Sequence, residues 1–352
     1  MNSAPSATQA AHRTTRAADA VRLRMPAEWA QQDWIWIGFP AHADLWQEDL
    51  APAQEQIAAF ANVVAETGQQ VRLVVRDDVA EAAARALVSS AVHIERHHYG
   101  DIWLRDTGPL TLLGPDGERR AQGFGFNGWG GKYLLEGDQD TGPSLAAAGG
   151  LPYARANWIL EGGAVESDGA GLVVTTEQCL LNPNRNPSLS REEITANLRR
   201  DLGFERILWL GAGLAGDHTD GHIDNLARMV APGTIAIPVA SGADDPNAKV
   251  YDDARERARN FGLAVRDVPS PGLIGASEDA EPASYMNFAI CNNVVVVPTY
   301  GSPHDGDAVA AIGALFPTRW AVGLPADAVL TGGGSFHCAS QHVPARGPEG
   351  AS

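Results

Sequence analysis

Cysteine is scarce in this chain of 352 residues: Cys179, Cys291 and Cys338 form an odd set without the regular spacing of a disulfide framework. That shortage excludes the small cross-linked secreted domains and suits a reducing compartment, the cytoplasm. Long hydrophobic runs are missing too. No stretch approaches the ~20 residues of a membrane span, so no membrane partner is expected. Basic side chains are outnumbered, 26 Lys and Arg against 43 Asp and Glu, for a formal net charge of −17. A nucleic-acid surface gathers positive charge on one face, and this balance argues against one. The first 24 residues carry no apolar leader core; Arg13, Arg16, Arg22 and Arg24 among Ala and Ser read as a disordered tail. No linker-like tract divides the body.

What is present is the composition of a globular enzyme, 44% hydrophobic and 20% charged. Helical patterns alternate with short strand-like runs, which reads as α/β. Ile57, Phe60, Val63 and Val64 fall at helical spacing. Ser190 and Glu193 make a capping box ahead of Ile194, Leu198 and Leu202. Residues 306–316 predict another helix, with Val309, Ile312 and Phe316 on one side. Strands are predicted at 71–75, 171–175, 207–210, 234–238 and 294–298, each bounded by Gly, Pro, Asn or Asp. Residues 269–283 read as a long surface loop. Five polar residues, Asp106, Glu161, Asp224, Asn287 and Cys338, each follow or interrupt an apolar run, at intervals of about 55, 63, 63 and 51 residues. Near-regular intervals of this size point to a pseudo-repeat such as a propeller, whose blades aim loops at a common axis.

Chemistry concentrates at the end of the repeat. Cys338 closes the tract Gly332-Gly333-Gly334-Ser335-Phe336-His337-Cys338, where glycines, Gly333 among them, let backbone approach a small ligand. A lone thiol becomes a nucleophile when an imidazole and carboxylates support it. The block from Asp217 to Asn225 supplies them, with His222 and Asp224 at its centre. Such a set suits attack on a planar cation, since a guanidinium is gripped bidentately by carboxylates. Asp106 and Asp224 are candidates for that grip, Trp103 for an aromatic face over the cation, and Glu161 for a carboxylate at a strand end. Other readings fare worse. Gly211-Ala212-Gly213-Leu214-Ala215-Gly216 matches a dinucleotide fingerprint, but the helix and the later acid that such a site needs are absent. His218 and His222 are four apart, yet Gly221 and the Asp/Thr content oppose the helix that would bring both onto a metal. The serine-hydrolase elbow fails at the last position of residues 333–337. Cys179 and Cys291, in strand-like apolar runs, read as core.

Residues 25–29 (MPAEW), 101–109 (DIWLRDTGP), 126–133 (FNGWGGKY), 160–163 (LEGG), 175–187 (TTEQCLLNPNRNP), 221–225 (GHIDN) and the terminal glycine–cysteine run together resemble one family, in its order along the chain. It is the agmatine deiminases of the bacterial peptidylarginine-deiminase type, within the guanidine-modifying (pentein) superfamily. The resemblance implies a five-bladed pseudo-symmetric α/β propeller of ββαβ units, as a single catalytic domain over residues 25–345 with tails at 1–24 and 346–352. It implies that Cys338 is the nucleophile, His222 the general acid/base, Glu161 the acid that positions histidine and substrate, and Asp106 and Asp224 the guanidinium partners. Trp103 resembles a pocket residue, and Asn127 and Trp129 lie in a segment that would close over the substrate. Two stretches depart from the family's commoner pattern, residues 34–40 and the sequence after Cys338, Ala339-Ser340-Gln341-His342.

The function expected is hydrolytic deimination of agmatine to N-carbamoylputrescine and ammonia, through a covalent adduct on Cys338 and without metal or organic cofactor. The expected partner is a small cationic guanidine; the sequence is also compatible with a homo-oligomer. Rival readings are deimination of free or peptidyl arginine, amidino transfer to an amine, and a non-catalytic propeller that binds a partner. An arginine carboxylate would need a cation, and Arg105, Lys132 and Arg185 are those of the matched stretches.

Overall fold

The computed structural model describes residues 23–275 and 282–346. Most of the expected tails, 1–24 and 346–352, and residues 276–281 of the expected long loop lie outside the described residues. Arg24 is within them and forms an isolated bridge with Leu113.

Local sequence accounts for the elements. The helix Arg191–Leu202 begins at a complete capping box, in which the Ser190 hydroxyl accepts from the Glu193 N–H while the Glu193 side chain accepts from the Ser190 N–H. It buries Ile194, Leu198 and Leu202 and ends at Gly203, whose φ of 76° is a left-handed turn. The helices expected around Ile57 and over 306–316 are Leu50–Glu66 and Asp305–Leu315. The five predicted strands form as Gln70–Val75, Leu172–Thr176, Arg206–Leu210, Thr234–Val239 and Val294–Thr299.

These elements assemble into five separate sheets with one recurring topology. A strand pairs antiparallel with the next, a helix crosses over, and a third strand returns parallel to the second. The first blade is Leu110–Leu113, Arg119–Gly125, helix Asp138–Ala148 and Tyr153–Ile159. The second is Glu166–Ser167, Leu172–Thr176, helix Arg191–Leu202 and Arg206–Leu210. The third is Arg228–Ala231, Thr234–Val239, helix Ala248–Phe261 and Ala264–Pro269. The fourth is Ala289–Ile290, Val294–Thr299, helix Asp305–Leu315 and Trp320–Pro325. The fifth is made from both ends of the chain. Ser340–Pro344 pairs antiparallel with Gln32–Gly38, which lies parallel to Gln70–Val75, and Val92–Arg96 adds one more parallel strand. This is the five-bladed α/β propeller expected from the spacing and the resemblance.

The first strand of every blade is preceded by a short turn. Leu104–Thr107, Gly162–Ala164, Ile223–Leu226 and Tyr285–Asn287 are single helical turns, and a fifth is closed by Ala339 N donating to Ser335 O at 2.9 Å. Asp106, Glu161, Asp224, Asn287 and Cys338 sit in or beside these five turns. The near-regular spacing is thus the propeller's repeat, and these are its corresponding inner positions.

Candidate active site

The five inner turns are tied to one another. Arg105 N donates to Cys338 O at 3.0 Å and His337 N to Asn287 O at 3.1 Å. Glu161, His222 and Asp224 are fully buried, and Asp106 and Cys338 nearly so. A carboxylate withdrawn this far from water is costly unless paired, so three of them together make a centre that a cation would stabilise.

Cys338 Sγ accepts from Asn287 Nδ2 at 2.9 Å and lies 3.4 Å from Asp224 Oδ2, while Cys338 N donates to Asn287 Oδ1 at 3.1 Å. Burial first, then the charges of Asp224 and Asp106, push the thiol well above its ordinary value, and Asn287 opposes this. Asn287 therefore touches the thiol directly. Its place in the repeat was visible in the sequence, but its contact with sulfur was not.

Asp106 Oδ1 accepts from Gly163 N at 2.9 Å and lies 3.8 Å from His222 Nδ1; its Oδ2 accepts from Trp129 Nε1 at 2.8 Å. Burial raises its carboxyl, helped by Asp224 and Glu161, against the pull of His222. Asp224 Oδ2 meets His337 Nδ1 at 2.8 Å, and its Oδ1 is buried with no hydrogen-bond partner among the described residues. Its carboxyl lies below the usual range, because His337 and then His222 outweigh the desolvation that would raise it. Glu161 Oε1 accepts from Arg185 Nε at 2.6 Å, and its Oε2 has no hydrogen-bond partner among the described residues.

Neither ring nitrogen of His222 has a hydrogen-bond partner among the described residues. Burial opposes a charged ring, yet Asp106, the Cys179 thiol and Glu161 together hold its pKa well above the usual imidazole range. Cys179, read from sequence as core in a strand-like run, is indeed buried, but it sits in a single helical turn, Glu177–Leu180, beside His222. The strand ends earlier because the Thr176 hydroxyl accepts from Cys179 N and starts the turn. Ligand atoms of Glu161, Cys179 and His222 lie within 4.8 Å of one another, close enough to hold a metal ion, although the Arg185 guanidinium on Glu161 repels one. The pair weighed for metal, His218 and His222, is divided: His218 is exposed, with its Nδ1 2.9 Å from Tyr133 Oη.

A cavity of about 170 Å³ opens over the thiol. Its walls include Trp46, Trp103, Trp129 and Tyr133, with Asp106, Cys338 and the backbone of Gly333 facing it. Among the described residues, no Lys or Arg lines it. Arg105 instead faces Glu28 at 3.6 Å, Lys132 pairs with Asp220 at 2.6 Å, and Arg185 holds Glu161. Close approach explains the glycine tract: a Cβ on Gly334 would lie 2.7 Å from the Trp103 ring and 3.1 Å from Cys338 Cβ. Trp129 adopts a left-handed φ of 51° between Gly128 and Gly130, which brings its indole N–H onto Asp106. Asn127 does not line the cavity. Its Oδ1 accepts from Gly130 N and its Nδ2 donates to Asn184 O, so it braces the turn that carries Trp129.

Five blades of this topology around a buried centre of carboxylates, imidazole and thiol define the pentein class. The chain belongs to the Porphyromonas-type peptidyl-arginine deiminase family, whose profile matches residues 24–344. It is similar to the agmatine deiminase of Ectopseudomonas mendocina (strain ymp), 36% identical over 96% of this chain and 99% of that one. Among solved structures it is similar to the agmatine deiminase of Enterococcus faecalis, with a TM-score of 0.87 and 30% identity over 93% of this chain and 97% of the other. A cysteine-to-serine variant of the C. jejuni agmatine deiminase with substrate bound is similar too, with a TM-score of 0.85 and 27% identity over 91% and 96% of the two chains.

Proposed function

We propose that the protein is a hydrolase of linear amidines that converts agmatine to N-carbamoylputrescine and ammonia through a covalent adduct on Cys338. The observation that carries this is the convergence of Asp106, Glu161, His222, Asp224 and Cys338 from corresponding turns of the propeller onto one buried centre. The names of the relatives support the substrate, and three buried cysteines without a disulfide suit the cytoplasm.

In this reading the guanidinium seats between Asp106 and Asp224, and its charge cancels the two anions that hold the thiol protonated. Substrate binding thereby releases the thiol proton to water, where it ends on the ammonia produced, and leaves a thiolate facing the His222 imidazolium. The sulfur attacks the central carbon, with alignment supplying much of the rate. His222 gives its proton to the departing nitrogen, and ammonia leaves an amidino-thioether on Cys338. Neutral His222 then takes a proton from water as the oxygen attacks. The tetrahedral adduct collapses to the ureido product, its hydroxyl proton passing to the departing sulfur, so that the resting thiol and the charged His222 are both restored. Glu161, held by Arg185, stabilises the imidazolium.

Agmatine is favoured over arginine because, among the described residues, the cavity wall offers no Lys or Arg to an α-carboxylate, whose burial without such a partner is costly. Incubation with agmatine, arginine and an arginine-ended peptide, read as ureido product, tests this. We expect kcat/KM for agmatine at least about 100-fold above arginine, roughly 2.7 kcal/mol. Comparable values would overturn the substrate assignment, and no ureido product from any of the three would overturn the reaction.

A further inference from the structure

His337, next to the thiol in sequence, takes no part in the chemistry above, and its surroundings are unusual for a bystander. The ring is buried between two carboxylates, with Nδ1 2.8 Å from Asp224 Oδ2 and Nε2 2.7 Å from Glu28 Oε2. Carboxylates only accept, so both contacts can be hydrogen bonds together only with a proton on each nitrogen. Glu28 is fixed in turn by Arg228 Nη2 at 2.8 Å and Ile290 N at 2.8 Å. The chain of contacts runs Glu28, His337, Asp224, and then 3.4 Å to Cys338 Sγ.

The arrangement divides the labour of the Asp224 carboxylate. One oxygen is taken by His337, which fixes the plane of the group; the other, Oδ1, is buried and has no hydrogen-bond partner among the described residues. We propose that His337 and Glu28 are positioning residues: His337 holds Asp224 so that Oδ1 is presented to the guanidinium and screens the negative charge facing the Cys338 thiol, and Glu28 keeps His337 in place. This rests on the reading of Asp224 as guanidinium partner and Cys338 as nucleophile. Neither residue touches substrate; they act through Asp224. The other charged or titratable groups around the pair are Arg105, Arg228, Glu166, Cys291, Arg319 and His342, and those facing the thiol are Asp106, Asp224 and Tyr300. Glu28 is itself held well below the carboxylate range, since Arg228, His337 and Arg105 together outweigh its burial.

The test uses His337→Asn and Glu28→Gln in the full chain. Loss of the screening ring raises the thiol and the Asp224 carboxyl together. Two pH profiles should therefore move upward by about one unit: iodoacetamide alkylation of Cys338, followed by peptide mass without substrate, and the acid limb of agmatine kcat/KM. At pH 7 we expect kcat/KM to fall about 10–100-fold in His337→Asn, by analogy with removal of the outer partners of a metal ligand. Glu28→Gln should move both profiles the same way by less, and should add nothing in the His337→Asn background. It carries the test by itself if His337→Asn does not fold. Unchanged alkylation and pH profiles beside a lowered Tm would mean that the network is merely structural, and the proposal fails. Wild type without guanidine turnover would instead sink the proposed function, while the alkylation profile would still decide the relay.

Discussion

Gly163 lies where the site has no room for a methyl group. A Cβ built there would stand 2.6 Å from His222 Nδ1 and 3.0 Å from both Asp106 Oδ1 and Asp224 Oδ2. Gly163 N also donates to Asp106 Oδ1, so the backbone cannot retreat without giving up that bond. In Gly163→Ala the ring must therefore move, and reaching an ordinary contact near 3.4 Å displaces it by most of an ångström. Misplacing a reacting group by ~1 Å costs about 100-fold in rate, or about 2.7 kcal/mol. The same overpacking costs about 1–3 kcal/mol of stability, a Tm loss of no more than roughly 10 °C. The expected variant is thus folded at 25 °C but has lost at least about 100-fold in kcat/KM for agmatine, with unchanged far-UV circular dichroism. Steady-state ureido-product assays beside thermal unfolding measure both halves. Activity within about threefold of wild type would refute the reasoning, because it would mean that neither His222 nor the two carboxylates needs its present position.

Cys338→Ser should lose several decades of turnover yet still gain thermal stability from agmatine, because Asp106 and Asp224 remain to hold the guanidinium; activity within about tenfold of wild type would sink the nucleophile assignment. Burial and then the neighbouring Asp101 push the Asp138 carboxyl up to about 7, and its buried Oδ2 has no hydrogen-bond partner among the described residues. A carboxyl raised in the folded state binds its proton there and not in the unfolded chain, so its contribution to stability is lost as pH rises from about 4 toward 7. Asp138→Asn should therefore raise Tm at pH 8, by a gain of at most about 4 kcal/mol, and change it little at pH 5; equal effects at both pH values would contradict the assignment.

Much of this was legible along the chain because it is local. Five polar positions at near-regular intervals mark five turns, and the capping box at Ser190 marks a helix start, since both are set by residues within a few places of each other. The partners supplied over long range were not legible. Glu28 stands more than 300 positions from His337, and no periodicity links them. Cys179 has apolar neighbours that fit a strand or a buried turn equally well, and the Thr176 cap decides between them. Asn127, polar and beside glycines, has the look of a ligand contact from sequence. In the structure it braces the Gly130 turn, an arrangement that depends on a left-handed backbone at Trp129 that no alternation of apolar residues announces.

The fifth blade has a consequence for when the protein can act. Cys338 enters immediately before the strand Ser340–Pro344, whose partner Gln32–Gly38 is at the far end of the chain. Four blades can form from neighbouring segments, but the sulfur is delivered only when the two ends meet, an encounter that costs a loop of nearly the whole sequence and therefore belongs to the slow steps of folding. Until that seam shuts, Asp106, Glu161 and Asp224 have no thiol beside them. In the proposed mechanism a nascent or partly opened chain is therefore a disarmed one, and reactivity comes only with the finished ring.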